Sequence, residues 1–199
     1  VLITAIGVSY FLQNSALLIW KAAARVYPPV VEGSMQLFGG KLTVSYVSLL
    51  TIAACVVIMI GLTTFVNKSK MGKAMRACSE DKAAAQLMGI NVNATISATF
   101  AIGSALAAFA SMFYGMTYVY IKPTTGAMPG IKAFTAAVFG GIGSIPGAML
   151  GGILLGLIEQ MSKTYISTLW ADAIVFAVLV VVLVVKPTGL LGKPMQEKV

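Results

Sequence analysis

The amino-acid sequence predicts an all-α fold, a polytopic transmembrane helical bundle. Apolar residues make up 58% of the 199 residues and charged residues only 10%, whereas a soluble domain carries about 25% charged residues. Long uncharged segments recur along the chain, and several reach the roughly 20 residues that a helix needs to cross a bilayer. Because these segments are continuously apolar rather than alternating, we expect helices and not the strands of a membrane barrel.

Charged and helix-breaking residues divide the chain into predicted spans and connections. The predicted spans are residues 1–20, 42–66, 94–116 and 166–185, with 131–142 and 146–162 as a short pair of helices that enters the membrane and returns. Together they would form one transmembrane domain over residues 1–199. The connections, at residues 21–41, 67–82 and 117–130, are predicted to be loops or largely irregular.

The connection at residues 67–82 has the densest positive charge in the chain. Its basic residues are Lys68, Lys70, Lys73, Arg76 and Lys82. Lysine and arginine accumulate in the cytoplasmic loops of membrane proteins, so residues 67–93 and the C-terminus are predicted to lie inside. The net charge of +8 fits basic residues that flank spans and contact anionic lipid. No basic face with interleaved aromatic residues is present, so nucleic-acid binding is not expected.

The sequence offers no catalytic or metal-binding pattern. It has no histidine, which excludes histidine-based zinc sites and general bases. It also has no GxxxxGK[ST] pattern, so the chain is not expected to hydrolyse ATP itself. Cys55, in a predicted span, and Cys78, in the basic connection, are predicted to be free thiols. We therefore expect no catalytic residue, no metal and no resident cofactor.

A short amphipathic helix is predicted from Ser79 to Gly89. Ser79 would cap its N-terminus, acidic residues would occupy its first turn, and Gly89 would end it. Apolar side chains fall on one side of this helix. Two interpretations remain open, an interfacial connector or a helix presented to a cytoplasmic protein. The residues of this candidate site are Ser79, Glu80, Asp81, Ala84, Leu87, Met88 and Gly89.

The short pair of helices is separated by a glycine-rich break. The residues of this candidate site are Gly140, Gly141, Gly143, Ser144, Pro146 and Gly147. Small residues also continue at four-residue spacing through Gly152 and Gly156, which favours close helix packing in lipid. A helix that breaks at membrane depth must line a cavity or be buried in protein, and such breaks often lie beside transport pathways. The two interpretations are compatible.

Three ionisable residues lie close to the last spans. Glu159 and Lys163 stand four residues apart and are predicted to pair near the outer surface. Asp172 is predicted to lie at the membrane interface. An ion-coupled carrier normally needs an acidic residue at mid-depth in the membrane. None is found there, which argues against secondary active transport.

Four segments carry specific motifs, of which the GGIGS-P-GA run is the most distinctive. They lie within Met71–Asn91, Met128–Val138, Gly140–Ala148 and Lys186–Gly192. Together they resemble the permeases of ABC importers, most closely the branched-chain amino-acid permeases of the LivH type. The resemblance covers essentially the whole chain. Family members are longer, so we expect that roughly their N-terminal third is absent from this sequence.

The resemblance implies a bacterial inner-membrane permease subunit that imports leucine, isoleucine or valine. It implies that the Ser79–Gly89 helix is the coupling helix, which docks on cytoplasmic ATP-binding subunits that bind the ATP. A second related permease subunit and a periplasmic substrate-binding protein are the other implied partners. The alternatives are the same machine with another cargo, such as urea or a short amide, an ion-coupled carrier or channel, and a passive membrane scaffold.

Overall fold

A computed structural model describes residues 2–28, 33–37 and 42–192. The described residues form eight helices and four short strands, which confirms the predicted all-α class. The chain divides into two compact units, Val1–Gly126 and Ala127–Val199. The prediction of one transmembrane domain over residues 1–199 stays a prediction.

The first unit holds five helices and the four strands. Its helices are α1 (Leu2–Trp20), α2 (Tyr46–Lys68), α3 (Lys70–Glu80), α4 (Lys82–Leu87) and α5 (Val92–Thr117). Its strands are β1 (Arg25–Val26), β2 (Ser34–Leu37), β3 (Leu42–Ser45) and β4 (Tyr120–Ile121). Strand β1 pairs antiparallel with β4, and β2 pairs antiparallel with β3. The predicted loop at residues 21–41 is therefore partly extended within its described residues.

Helix α2 begins four residues later than the predicted span at 42–66. Residues Leu42–Ser45 form β3 instead, with Leu42 opposite Leu37 and Ser45 opposite Ser34. Ser45 then caps the helix, because its Oγ accepts a hydrogen bond from the N–H of Val47 at 3.3 Å. A serine that can satisfy an N-terminal N–H group favours a helix start at this point.

The prediction of a loop at residues 67–82 is wrong, because most of this connection is helix α3. Ser69 caps α3 by accepting a hydrogen bond from the N–H of Gly72 at 2.8 Å. A Cβ on Gly72 would overlap the backbone of Val66, so the glycine permits the sharp turn from α2 into α3. The guanidinium of Arg76 also donates a hydrogen bond to the Asn67 side chain. Helix α3 packs against both α2 and α5.

The second unit is a bundle of three helices. They are α6 (Ala127–Gly140), α7 (Ile145–Tyr165) and α8 (Ala171–Val185). Phe139, Leu155 and Val175 are buried together, one from each helix. A Cβ on Gly151 would overlap the carbonyl oxygen of Ala136, so the backbones of α6 and α7 lie in direct contact. The predicted close packing by small residues is confirmed at Gly151 but not at Gly156, where a Cβ would meet no atom within 4 Å.

The bounds of these three helices correct the sequence prediction in two places. Helix α6 begins at Ala127, inside the segment predicted to be irregular, and Pro129 lies in its first turn. Proline is tolerated there because the first N–H groups of a helix have no partner within the helix. Helix α8 begins at Ala171, five residues after the start of the predicted span at 166–185.

Three helices of the described residues are long and apolar enough to cross a membrane. They are α2, α5 and α7, and two shorter apolar helices lie at Ile6–Trp20 and Ala171–Val185. Long apolar helices and helical fold class together agree with a polytopic membrane protein.

Candidate functional site

The predicted amphipathic helix is present but starts two residues later than predicted. Ser79 lies in the last turn of α3, where its hydroxyl donates to the carbonyl of Arg76 at 2.7 Å. The N-cap of α4 is Asp81, whose Oδ1 accepts hydrogen bonds from the N–H groups of Ala83 and Ala84 at 2.8 and 3.1 Å. The prediction of Ser79 as the cap is wrong, because α3 extends through it and changes direction at Asp81.

The far end of α4 presents an apolar face to its surroundings. The side chains of Leu87 and Met88 are 89% and 83% exposed, and Ala84 on the same side is also exposed. Ala85, by contrast, is buried against the unit. Gly89 follows with φ of +80°, which confirms the prediction that it ends the helix. Leu87 and Met88 therefore form a small exposed apolar surface beside the helix stop.

The two cap assignments make different predictions for single substitutions. Asp81→Ala should remove the hydrogen bonds to the first turn of α4 and destabilise this short helix by about 1 kcal/mol. Hydrogen exchange of the purified protein should then be faster at Ala83 and Ala84. Ser79→Ala is the matched control, because the Ser79 hydroxyl does not bond to α4. Faster exchange in α4 for the control alone would contradict the assignment of Asp81.

The glycine-rich break forms a tight turn between α6 and α7. Helix α6 ends at Gly140, and Gly141 and Gly143 adopt φ of +107° and +92°. Ser144 then caps α7 by accepting a hydrogen bond from the N–H of Gly147 at 3.2 Å. Pro146 lies in the first turn of α7, where its missing N–H costs nothing. The chain thus reverses within four residues, and α6 and α7 run antiparallel.

The segment Lys186–Gly192 folds back onto this turn. The N–H groups of Leu190 and Leu191 donate to the carbonyls of Phe139 and Gly140 at 3.0 and 2.9 Å. The N–H of Gly141 is shared between two carbonyls of the last turn of α6, those of Ala137 and Val138, at 3.1 and 3.2 Å. All four carbonyls that the end of a helix normally leaves without a partner are therefore satisfied. Two motifs that lie about 40 residues apart in sequence form one structural element.

This arrangement bears on the hypothesis that the break lines a transport pathway. The carbonyl groups at the end of α6 are bonded to the chain itself, so they are not open ligands for a solute in this structure. The turn also lies beside the C-terminal end of α8, since Lys186 follows α8 directly. The pathway role of Gly140, Gly141, Gly143, Ser144, Pro146 and Gly147 stays a prediction.

A cluster of four charged side chains lies at the opposite end of the three-helix unit. The Nζ of Lys132 is 2.8 Å from Oε1 of Glu159 and 2.7 Å from Oδ1 of Asp172. The Nζ of Lys163 is 2.5 Å from the same Glu159 oxygen. The predicted pair of Glu159 and Lys163 is confirmed. We name Lys132, Glu159, Lys163 and Asp172 the ion cluster.

The bridging role of Lys132 was not predicted from the sequence. It comes from α6 and contacts carboxylates of α7 and α8, so it joins all three helices of the unit. A signal was available, because antiparallel packing of the small residues on α6 and α7 places Lys132 opposite Glu159. The positions of Lys163 in the last turn of α7 and Asp172 in the first turn of α8 also suit the dipoles of those helices.

The long apolar helices, the capped helix α4 and the glycine-rich turn occur together in a known family of membrane proteins. Residues 1–183 match the family described as "Branched-chain amino acid transport system / permease component". The chain belongs to this family. The family name defines a permease component, which implies further subunits of a transport system.

Two relatives are similar to the chain over its whole length. The high-affinity branched-chain amino acid transport system permease protein BraD of Pseudomonas aeruginosa is 46% identical over 202 residues. The corresponding permease protein LivH of Escherichia coli is 46% identical over 213 residues. Both alignments cover 100% of this chain, and they cover 66% and 65% of the relatives. The chain thus spans slightly less than two thirds of these curated relatives. No solved structure matches it.

Proposed function

We propose that the chain is a membrane-spanning permease subunit of an ATP-driven importer for the branched-chain amino acids leucine, isoleucine and valine. The observation that carries this proposal is the 46% identity, over the whole chain, with two permeases named for that transport. The chain spans about 65% of the length of these relatives. The part of the transport pathway that it forms, and the subunits that it contacts, therefore belong to the proposal.

The proposed partners are cytoplasmic ATP-binding subunits, a second related permease subunit and a periplasmic substrate-binding protein, within the lipid of a bacterial inner membrane. ATP would bind to the partner subunits, since this chain contains no P-loop pattern and is proposed to need no cofactor of its own. The basic residues of α3 support placing residues 67–93 on the cytoplasmic side, with the C-terminus on the same side.

The proposed coupling site comprises Ser79, Glu80, Asp81, Ala84, Leu87, Met88 and Gly89. Its exposed apolar end at Leu87 and Met88 would insert into a groove on an ATP-binding subunit, as amphipathic helices do when they dock on a partner. Helix α3 packs against both α2 and α5. Closure of the ATPase dimer would therefore displace two long helices together, which supports alternating access by a rigid-body movement.

Co-purification and uptake together test this proposal. We expect the chain, expressed with its transport system, to bring down a P-loop ATPase from detergent-solubilised membranes. Labelled leucine uptake should stop when ATP is depleted and should persist when the proton gradient is collapsed at constant ATP. Uptake that follows the proton gradient would favour an ion-coupled carrier instead. Uptake of urea without leucine would favour the other cargo, and absence of both an ATPase and uptake would favour a scaffold.

A further inference from the structure

A cleft lies between the three helices of the second unit, next to the ion cluster. It has a volume of about 210 Å³ and is lined by residues of α6, α7 and α8. Gly152 and Gly156 provide one wall of bare backbone, and a Cβ on Gly156 would meet no atom within 4 Å. The buried side chains of Leu155 and Val175 supply apolar surface. The cleft therefore exists because two positions on α7 carry no side chain.

One end of this cleft is charged. Lys132 and Glu159 belong both to the lining of the cleft and to the ion cluster. Their side chains keep 27% and 18% of their surface exposed, so each retains access for a ligand. The cluster holds two ammonium groups and two carboxylates and is neutral as a whole. A neutral cluster favours a ligand without net charge. A charged ligand would place an uncompensated charge in a region of low dielectric constant, which costs free energy.

We propose that this cleft binds a small zwitterionic amino acid with an aliphatic side chain. The ligand carboxylate would accept hydrogen bonds from the Lys132 ammonium, and the ligand ammonium would donate to the Glu159 carboxylate. Four charges of alternating sign then face one another while the contact between Lys132 and Glu159 is kept. The inference rests on the proposed function, which it deepens by assigning a substrate site that no motif in the sequence marks.

The apolar part of the cleft selects the side chain of the ligand. Its volume is below the roughly 300–1,000 Å³ of pockets for drug-sized ligands, so a molecule with few heavy atoms fits best. An aliphatic chain would lie over Gly152 and Gly156 and contact Leu155 and Val175. Urea carries no separated charges and no apolar group, so it would neither pair with the charges of Lys132 and Glu159 nor fill the apolar part of the cleft. The same surfaces therefore favour leucine-like cargo over a small amide.

Filling the cleft tests the proposal in the assembled transporter. Gly156→Leu adds a side chain where the ligand would lie, and it should lower the kcat/KM of leucine uptake about tenfold or more, the scale of a steric change in an apolar pocket. Gly103→Leu is the matched control, because a Cβ there also meets no atom within 4 Å and the residue lies in α5. An unchanged kcat/KM for Gly156→Leu in a correctly assembled transporter would overturn the inference.

A labelling experiment covers the case in which Gly156→Leu fails to assemble. Cys55 and Cys78 are first replaced by alanine, and Gly156→Cys then provides a thiol in the cleft. Saturating leucine should slow its alkylation by N-ethylmaleimide about tenfold, whereas urea should not, and Gly103→Cys should react at the same rate with or without leucine. Equal rates at Gly156→Cys would overturn the inference. Failure of the unmodified transporter to take up leucine would instead count against the proposed function.

Discussion

Replacing Gly141 with valine should strongly destabilise the three-helix unit and lower its thermal unfolding midpoint. Gly141 has φ of +107°, a conformation that costs a residue with a side chain about 1–3 kcal/mol. A Cβ at this position would also lie 2.6 Å from the Cα of Gly192, within the segment that bonds to the end of α6. Overpacking of this kind adds about 1–3 kcal/mol. The two terms together are large against the 5–15 kcal/mol that usually stabilises a domain.

Gly143→Val separates the cost of the backbone conformation from the cost of overpacking. Gly143 has a similar φ of +92°, but a Cβ on it would meet no atom within 4 Å. It should therefore lose only the conformational term, and its thermal unfolding midpoint in detergent should lie between those of the unmodified protein and Gly141→Val. Equal midpoints for the two variants would mean that contact with residues 186–192 contributes nothing measurable. In that case the close approach of Gly141 and Gly192 does not stabilise the unit.

The double substitution of Leu87 and Met88 by aspartate should uncouple transport from ATP. Both side chains are almost fully exposed on the described chain, so the fold should tolerate the change. At the centre of a docked interface, however, loss of two apolar anchors costs about 2–4 kcal/mol, or about 30-fold or more in affinity for the partner. We expect leucine uptake to fall by at least that factor while the amount of protein in the membrane is unchanged.

The conservative pair Leu87→Met and Met88→Leu is the matched control for this experiment. It keeps two large apolar side chains at the same positions and should retain most of the uptake and the co-purified ATPase. If the aspartate variant transports leucine as well as the control does, the 79–89 segment is not the coupling site. A second check is Gly89→Pro, because proline cannot adopt the φ of +80° at this position.

Local sequence signals predicted the candidate sites unevenly. Gly89 was predicted correctly as a helix stop, because a left-handed residue after a helix favours glycine strongly. The cap was misplaced, since Ser79 and Asp81 are both good N-cap residues. The choice between them depended on how far α3 extends. That extent is set by the packing of α3 against α2 and α5, which no local pattern records.

The ion cluster illustrates the same limit. The pair of Glu159 and Lys163 could be predicted, because residues four apart on one helix always face each other. The contacts of Lys132 with Glu159 and Asp172 join residues 27 and 40 positions apart along the chain. They form because α6 and α7 meet through glycine backbones, which aligns their charged ends. Only the register between the helices decides which charges come together.

The sequence by itself determined the class of this protein and the number and approximate extent of its main helices. It could do so because long uncharged apolar segments leave the backbone no better way to satisfy its hydrogen bonds than a helix. The tertiary structure alone decided how the turn at residues 141–144 joins residues 186–192, how Lys132 bridges three helices, and that a cleft remains beside it. These features depend on close approach between distant segments, which bare glycine backbone permits but does not specify.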